Sequence, residues 1–304
     1  AAPPPQPAAQ TVKINFPTAG ASGALYAVGA AITNMWSNNV PGVQAASQAS
    51  AGGIANLNMV SDGEAQVSIA ISSNVYQCLN GTDSFKDHPY KDLKVIAGLY
   101  MNPNQVVVTA KSGIQTLADV KGKRFAVASA GSSVYNESNA HFTAAGLKFP
   151  DDIQAEYITF TDAADMLQNG SIDGAWIMSG APASAVSPAL TGGARLVDID
   201  DQLVKDLKAK YPWYASYTIK AGTYPNQDRD VRTTAVKMVM FTRGDMPEDV
   251  VYNLTKTFWE HIDELGQAQK NLKGLKPEDA VKDIANVPLH RGAEKYYREI
   301  GVLK

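Results

Sequence analysis

Cysteine, basic clusters and long apolar runs are all scarce in this sequence. Its 304 residues include a single cysteine, Cys78, which excludes an intramolecular disulfide and a zinc site built from cysteines. The formal net charge is −3 and no basic run is present, which argues against nucleic acid as a partner. No apolar stretch approaches the roughly 20 residues that a membrane-spanning helix needs.

Histidine is also scarce, and its positions lack the spacing of a reactive site. His88, His141, His261 and His290 have no partner at the spacing of a metal site or a catalytic triad. Neither a G-x-S-x-G elbow nor a P-loop is present. We therefore predict no catalytic residue, no metal and no cofactor, because the acid, base or cofactor lysine of an enzyme is not indicated.

The composition that remains is that of a large folded protein. Hydrophobic residues make up 45% and charged residues 19%, and the length suggests two domains. The chain begins "AAPPPQPAAQ", which we interpret as a flexible tether over residues 1–10, left after removal of a signal peptide. This interpretation predicts export to the periplasm. An expression remnant or a trimmed chain is the alternative.

Strand-like and helix-like segments alternate along the chain, which predicts parallel α/β sheets. "TVKINF" is typical of a strand, and a helix is expected to begin at Ser22. "KRFAVAS" predicts a second such strand, with Ser132 or Ser133 capping the next helix. "LKVIAGLY" and "QVVVTAK" predict two strands on either side of "MNPN", and "AEYITF" predicts one more.

Two portions of the chain have similar spacing, close to an internal repeat. Gly20 follows Ile14 by six residues, as Gly131 follows Phe125, and each glycine precedes a serine that opens a helix. Ligands of open α/β sheets bind at the carboxyl ends of strands, and helix N-termini attract anions. We therefore expect two similar domains that form a ligand-binding cleft. The serines expected to line it are Ser22, Ser72, Ser132, Ser133 and Ser179.

Each candidate also has an ordinary structural interpretation. Ser132 and Ser133 would bind a carboxylate or simply cap their helix, and the same alternative applies to Ser22 and Gly23. Tyr26 and Tyr76 lie one turn into their helices and would reach the ligand or pack. Ser179 and Gly180 end a strand, where a plain turn is the alternative. Trp213 would close over the ligand or pack between domains, and Asn104 and Gln105 would bond a ligand oxygen or be solvated.

Seven motifs in order over residues 11–300 carry a resemblance to a known family. They are "ASGALYAVG", "SSNVYQCLNG", "LADVKGKRFAVASAGSS", "QNGSIDGAW", "YPWYASYTIKAGTYPNQ", "PEDVVYNLTKTFWE" and "PLHRGAEKYYRE". The sequence resembles the periplasmic solute-binding proteins of TRAP transporters, in the TAXI subfamily. The resemblance implies a type II periplasmic-binding-protein fold, with two α/β domains joined by a hinge. Domain 1 is expected over 11–105 plus 216–304, and domain 2 over 106–215.

The resemblance also implies a function. A small carboxylate-containing metabolite (a dicarboxylate, a 2-oxoacid or an amino acid such as glutamate) would be delivered by a monomeric protein to a TRAP-type permease. An ABC-type binding protein, an enzyme and a ligand sensor on the same fold are the alternatives. Arginine is absent from the expected turns, so main-chain N–H and hydroxyl donors should hold the carboxylate. The ligand-binding residues expected are Ser22, Gly23, Tyr26, Ser72, Ser73, Tyr76, Ser132, Ser133, Val134, Ser179, Gly180 and Trp213.

Overall fold

The computed structural model describes residues 11–21 and 24–304 as a mixed α/β protein. Its strands are β1 Val12–Pro17, β2 Val43–Gln48, β3 Val67–Ile71, β4 Leu93–Val108, β5 Arg124–Ala126, β6 Gln154–Glu156, β7 Gly174–Met178, β8 Arg195–Val197, β9 Ala215–Ile219 and β10 Val231–Arg243. Its α-helices are α1 Ala24–Asn39, α2 Gly53–Ser61, α3 Ser72–Asn80, α4 Ser133–Ala144, α5 Phe160–Gln168, α6 Ser187–Thr191, α7 Asp201–Lys210, α8 Glu248–Glu260, α9 Ile262–Ala268 and α10 Arg291–Glu299. The tether expected over residues 1–10 lies outside the described residues, as do Ser22 and Gly23.

The chain divides into two compact units. Unit 1 holds the described residues up to Tyr100 together with Met238–Lys304, and unit 2 is Met101–Lys237. The chain therefore passes from one unit to the other within β4 and returns within β10. The segment 216–237, which the sequence analysis grouped with the first domain, belongs to unit 2. It does so because β9 pairs antiparallel with the first half of β10, from Ile219 opposite Val231 to Ala215 opposite Ala235.

Unit 1 contains a parallel pair and an antiparallel pair of strands. β1 runs parallel to β2, with Val12 opposite Val43, and β3 runs antiparallel to the second half of β10. All residues of β3 are buried, including Ser68, whose hydroxyl donates to the Pro17 carbonyl at 2.6 Å. Six residues of α1 are buried, among them Val28, Ile32 and Trp36, whose spacing of four places them along one face of the helix.

Unit 2 is built on a mixed sheet whose parallel strands position the candidate site. β5 pairs parallel with both β6 and β7, while the second half of β4 pairs antiparallel with β7 and β8. The two strands expected around "MNPN" are instead one strand, β4, which contains Pro103. The turn predicted from proline and asparagine is absent from β4 because the chain crosses there between units in an extended conformation.

Aromatic side chains anchor the core of each unit. In unit 1, Phe16 and Trp36 are fully buried with ring centroids 6.0 Å apart, and the Trp36 indole N–H donates to the Leu254 carbonyl at 3.0 Å. In unit 2, Phe125 on β5 meets Phe142 on α4 edge to face at 5.3 Å. The second contact fixes α4 against the strand that leads into it.

The single cysteine lies inside unit 1. Cys78 on α3 is 1% exposed, and burial raises the pKa of its thiol to about 12. The thiol is therefore protonated and unreactive at neutral pH, since the thiolate is the nucleophile. Within the described part of the chain, no helix combines the length and apolar character needed to cross a membrane.

Candidate functional site

The turn that connects β5 to α4 has an unusual backbone. Val127 continues the ladder by donating its N–H to the Glu156 carbonyl at 3.0 Å. Ala128 then takes φ 63° and Gly131 φ 74°, both in the left-handed region. Glycine adopts this conformation without steric cost, whereas alanine is strained there by about 1 kcal/mol. Backbone strain of this kind clusters at ligand-binding turns.

Ser132 caps α4, and Ser133 and Val134 form its first turn. The Tyr135 N–H donates to Ser132 Oγ at 3.1 Å, so the capping alternative is realised. That bond uses an acceptor site of the hydroxyl and leaves its hydrogen able to donate to a ligand. Ser133 and Val134 are half-buried and lie in the first turn of α4. An anion at this end meets donors and the positive end of the helix dipole.

The parallel pairing of β5, β6 and β7 brings three strand ends to one edge of the unit 2 sheet. α4 begins beyond β5, and α5 begins beyond β6, where the Thr159 hydroxyl accepts the Asp162 N–H. Ser179 and Gly180 follow β7 and are half-buried. The structure therefore places Ser132, Ser133, Val134, Ser179 and Gly180 at the same edge, where the sequence analysis expects them.

Gln105 holds the segment beyond β7 in place. Its side-chain amide donates to the Ser179 carbonyl at 2.9 Å and accepts from the Tyr224 hydroxyl. The same Tyr224 oxygen accepts the Ala183 N–H at 2.8 Å. Burial raises the pKa of Tyr224 to about 12, so it remains a donor at neutral pH. The expectation that Gln105 would bond a ligand or lie in solvent is wrong, because this buried side chain has both ends engaged within the protein.

Asn104 on β4 is the centre of a second buried network. Its amide nitrogen donates to the Glu137 carboxylate and to the Thr234 hydroxyl, both at 3.1 Å. Its amide oxygen accepts the Trp176 indole N–H at 2.9 Å. The relative exposures of Asn104, Glu137 and Thr234 are 1%, 2% and 0%. Asn104 is therefore an internal residue, and the expectation of a ligand contact or a solvated loop does not hold.

His141 completes this network on α4. Its Nδ1 lies 2.6 Å from the Glu137 carbonyl and its Nε2 lies 2.7 Å from the Thr234 hydroxyl. A carbonyl only accepts, so Nδ1 carries the hydrogen and Nε2 accepts from Thr234. Burial lowers the pKa of His141 to about 4, so the ring is neutral at neutral pH.

Aromatic residues around the end of α7 pack inside unit 2. Trp213 is 8% exposed and its ring stacks on Tyr211 at 4.9 Å. Tyr214 meets His141 edge to face at 5.1 Å. Burial, followed by the charge of Glu137, raises the pKa of the Tyr214 hydroxyl well above 10. Contact between Trp213 and a ligand stays a prediction.

An exposed tyrosine beside α4, Tyr157, is a feature that the sequence does not predict. Tyr157 is 47% exposed, and its ring centroid lies 6.1 Å from that of Tyr135 in the first turn of α4. The pattern "AEYITF" places Tyr157 inside a strand, but β6 ends at Glu156. Tyr157 is therefore the first residue after β6, at the carboxyl edge of the sheet and beside the first turn of α4.

Asn56 organises the corresponding edge of unit 1, and it too was missed. Its amide nitrogen donates to the carbonyls of Thr18 and Ile69 at 2.8 and 2.9 Å. Its oxygen accepts from the Ser50 hydroxyl at 2.6 Å. The residue after β1, the middle of β3 and the segment after β2 are thus joined by one fully buried side chain.

The unit 1 candidates differ in accessibility. Ser72 and Ser73 are the first residues of α3 and are 0% and 3% exposed. Tyr26 on α1 and Tyr76 on α3 are half-buried. Ser22 and Gly23 lie outside the described residues, so their ligand contacts remain predictions. Among the residues that the structure describes, His, Cys, Asp and Glu form no cluster able to hold a metal ion.

The arginines near these segments are engaged elsewhere. Arg124 at the start of β5 pairs with Glu156 at 2.5 Å and also donates to the Ser171 carbonyl. Arg195 at the start of β8 donates to the Ile114 carbonyl. Neither residue belongs to the first turn of α4 or to the segment after β7, where an anion would be held.

Comparison with known proteins identifies the family. The model of the NMT1-like family matches residues 16–301, which is nearly the whole chain. This chain belongs to the NMT1-like family. Three solved structures of similar fold are informative for this NMT1-like chain, and all are distant in sequence.

The alkanesulfonate-binding protein SsuA from Xanthomonas axonopodis pv. citri, bound to MOPS, is 17% identical, with a TM-score of 0.50 over 96% of this chain and 85% of that chain. A putative periplasmic sulfonate-binding protein from Methylobacillus flagellatus KT is 12% identical, with a TM-score of 0.51 over 96% and 88%. A Xanthomonas citri protein bound to a chloride ion is 12% identical, with a TM-score of 0.53 over 94% and 99%. The NMT1-like chain has the mixed α/β fold of periplasmic binding proteins, which confirms the fold class expected from its sequence.

Proposed function

We propose that this NMT1-like protein is a periplasmic solute-binding protein that captures a small anionic solute and delivers it to a membrane permease. The observation that carries the proposal is the edge of unit 2. There the first turn of α4, with Ser132, Ser133 and Val134, and the segment Ser179–Gly180 lie at the same edge of the sheet. The periplasmic-binding-protein fold supports a binding role.

The donors at this edge suffice for useful affinity without a guanidinium. A hydrogen bond to a charged acceptor contributes about 1.5–3 kcal/mol, and a micromolar dissociation constant corresponds to about 8 kcal/mol. Four such bonds of about 2 kcal/mol each, from the amides and hydroxyls of α4 and the β7 segment, would add up to the 8 kcal/mol of micromolar binding. The strained turn at Ala128 is consistent with a backbone held ready for a ligand.

The proposed ligand is a carboxylate: a dicarboxylate, a 2-oxoacid or an amino acid such as glutamate. The proposed partner is a TRAP-type permease, and the proposed subfamily is TAXI, as the sequence motifs suggest. Closure of the protein around the ligand would be the signal that the permease recognises. The role is proposed to be binding without catalysis, in the periplasm, after removal of a signal peptide.

A second candidate is a sulfonate delivered to an ABC transporter. It is favoured by the two sulfonate-binding proteins among the structures of similar fold. A sulfonate presents the same kind of negatively charged oxygen acceptors to N–H and hydroxyl donors. The two candidates therefore share the site and differ in the geometry of the anion and in the membrane partner.

Matched ligands separate the candidates. Thermal shift and calorimetry would compare propionate with ethanesulfonate, and then succinate, pyruvate and glutamate. Preference for the carboxylates supports the first candidate, and preference for ethanesulfonate supports the second. Absence of binding to every anion contradicts the proposal. Uptake into vesicles that contain a TRAP-type permease separates delivery from sensing, and unchanged ligand by NMR excludes turnover.

Adjacent serines provide a matched pair of variants. Ser133→Ala should weaken anion binding about 10- to 100-fold, because one donor to a charged acceptor is lost. Ser132→Ala should in addition lower the unfolding free energy by about 1 kcal/mol, because the helix cap is lost. Thr143→Ala, on the same helix and with its exposed hydroxyl donating to Asn139 at 3.1 Å, is the control that should change neither. Equal affinities of Ser133→Ala and the wild type would remove Ser133 from the site.

A further inference from the structure

We infer that Glu137 and Asn104 are positioning residues, which tie the ligand-binding turn of α4 to both strands through which the chain passes between its units. The inference rests on the proposed function, because it concerns how that binding turn is held. It gives a role to the buried carboxylate of Glu137, which is explained neither by the helix propensity of glutamate nor by contact with a ligand. Glu137 and Asn104, 33 positions apart in the sequence, act together through their hydrogen bond.

Glu137 links the turn to the interior. It lies on α4, one turn beyond Ser133, and is 2% exposed. Its carboxylate accepts from Asn104 at 3.1 Å and from the Tyr214 hydroxyl. A buried carboxylate needs such partners, because an unpaired charge in the interior is costly. The orientation of the first two turns of α4 is therefore set by groups on β4 and beyond α7.

Asn104 connects Glu137 to β10, the strand through which the chain returns to unit 1. Its amide donates to Thr234 on β10 at 3.1 Å, and the Thr233 hydroxyl donates to the Asn104 carbonyl at 2.5 Å. Asn104 lies four residues after Tyr100, the last residue of unit 1 before the chain enters unit 2. Thr234 lies three residues before Lys237, the last residue of unit 2 before the chain returns. The network therefore bonds to β4 and β10 close to the positions where the chain passes from one unit to the other.

The hydrogens of this network have one consistent arrangement. Both Asn104 amide hydrogens are used, one on Glu137 and one on Thr234, while the amide oxygen accepts from Trp176. The Thr234 hydrogen goes to His141, whose own hydrogen goes to the Glu137 carbonyl. A small displacement of α4 would therefore disturb bonds on β4 and β10 together. Ligand capture at α4 and the conformation of the crossing strands are thus coupled energetically.

Isosteric variants test the coupling. Thr234→Val keeps the shape but removes the hydroxyl that joins Asn104 to His141, and Asn104→Ala removes the link to Glu137. Thr218→Val on β9, outside the network, is the matched control. Calorimetry would use whichever of succinate, pyruvate, glutamate and ethanesulfonate stabilises the wild type most, and small-angle scattering would measure the ligand-induced change in radius of gyration.

We expect Thr234→Val and Asn104→Ala to weaken binding at least 10-fold and to reduce the change in radius of gyration, while Thr218→Val matches the wild type. We expect Glu137→Gln to stay within about threefold, since its amide oxygen still accepts from Asn104. In a double-mutant cycle, Asn104→Ala should cost less in the Ser133→Ala background, because both act through the same turn. A structural role alone would lower the unfolding midpoint without this non-additivity.

Folded Thr234→Val that binds within twofold of the wild type, with an unchanged scattering response, would overturn the inference. Additive effects in the Asn104 and Ser133 cycle would also overturn it. This isosteric variant decides the question even if Asn104→Ala does not fold. Failure of the wild type to bind any of the four anions is a different result, because it defeats the proposed function and the inference together.

Discussion

Protonation of His141 should make the stability of this protein fall as the pH drops from 6.5 to 4. Burial lowers the pKa of the folded-state imidazole to about 4, whereas an ordinary histidine in the unfolded chain titrates near 6.5. Between these values the unfolded state binds one more proton than the folded state. The free energy of unfolding therefore decreases as the pH falls, and its slope approaches about 1.4 kcal/mol per pH unit.

The contacts of His141 explain the size of the effect. Its Nδ1–H is held by the Glu137 carbonyl and its Nε2 accepts from Thr234, so a second proton would displace the Thr234 hydrogen inside a fully buried site. The shift from 6.5 to about 4 corresponds to about 3 kcal/mol at pH 4 relative to pH 8. Burial also lowers the pKa of His290, which adds a contribution of the same sign.

Urea denaturation at pH 8.0, 6.5, 5.5 and 4.8 would measure the slope. Aspartates with lowered pKa, such as Asp198, lose their contribution only at lower pH, so this window isolates histidine. His141→Asn retains a donor toward Glu137 but cannot titrate. We expect His141→Asn to be less stable than the wild type at pH 8. On acidification, its free energy of unfolding should fall by about 1 kcal/mol per pH unit less than that of the wild type. If the free energy of unfolding depended on pH in the same way for His141→Asn and the wild type, the reasoning would be refuted.

Three further predictions concern packing and hydrogen bonding, each checked by urea denaturation at pH 8. Trp36→Phe should cost about 1–3 kcal/mol, because it removes the side-chain hydrogen bond to the Leu254 carbonyl of α8 and opens a void; a loss below about 0.5 kcal/mol contradicts this. Tyr224→Phe should cost about 1–3 kcal/mol by leaving the Ala183 N–H without an acceptor, and no loss would mean that another acceptor replaces it. Gly174→Ala should cost about 1–3 kcal/mol, since its Cβ would lie 2.4 Å from the Phe125 ring; wild-type stability would show that the ring moves freely.

The local features of the candidate site were predictable from sequence. The apolar run before Ser132 and the amphipathic run after it indicate a strand, a turn and a capped helix, and the structure places them there. Ser179, which is expected to end a strand, directly follows β7. These features depend on neighbours within a few residues, which is the range over which periodicity and capping preferences act.

The contacts that hold the site were not predictable, because they join distant parts of the chain. Asn104 and Thr234 lie 130 positions apart, and each is an ordinary polar residue in its own segment. Asparagine beside Pro103 suggests a solvated turn, yet the strand continues and buries it. The pattern "AEYITF" predicts a strand that includes Tyr157, whereas β6 ends at Glu156 and Tyr157 is exposed.

The protonated, inaccessible thiol on α3 makes this chain convenient for site-specific chemistry. Any cysteine introduced on the surface would be the sole thiol that reacts with a maleimide near neutral pH, since Cys78 is the only native one and is buried. A fluorophore or spin label can therefore be attached at one chosen position in each unit without first replacing a core residue.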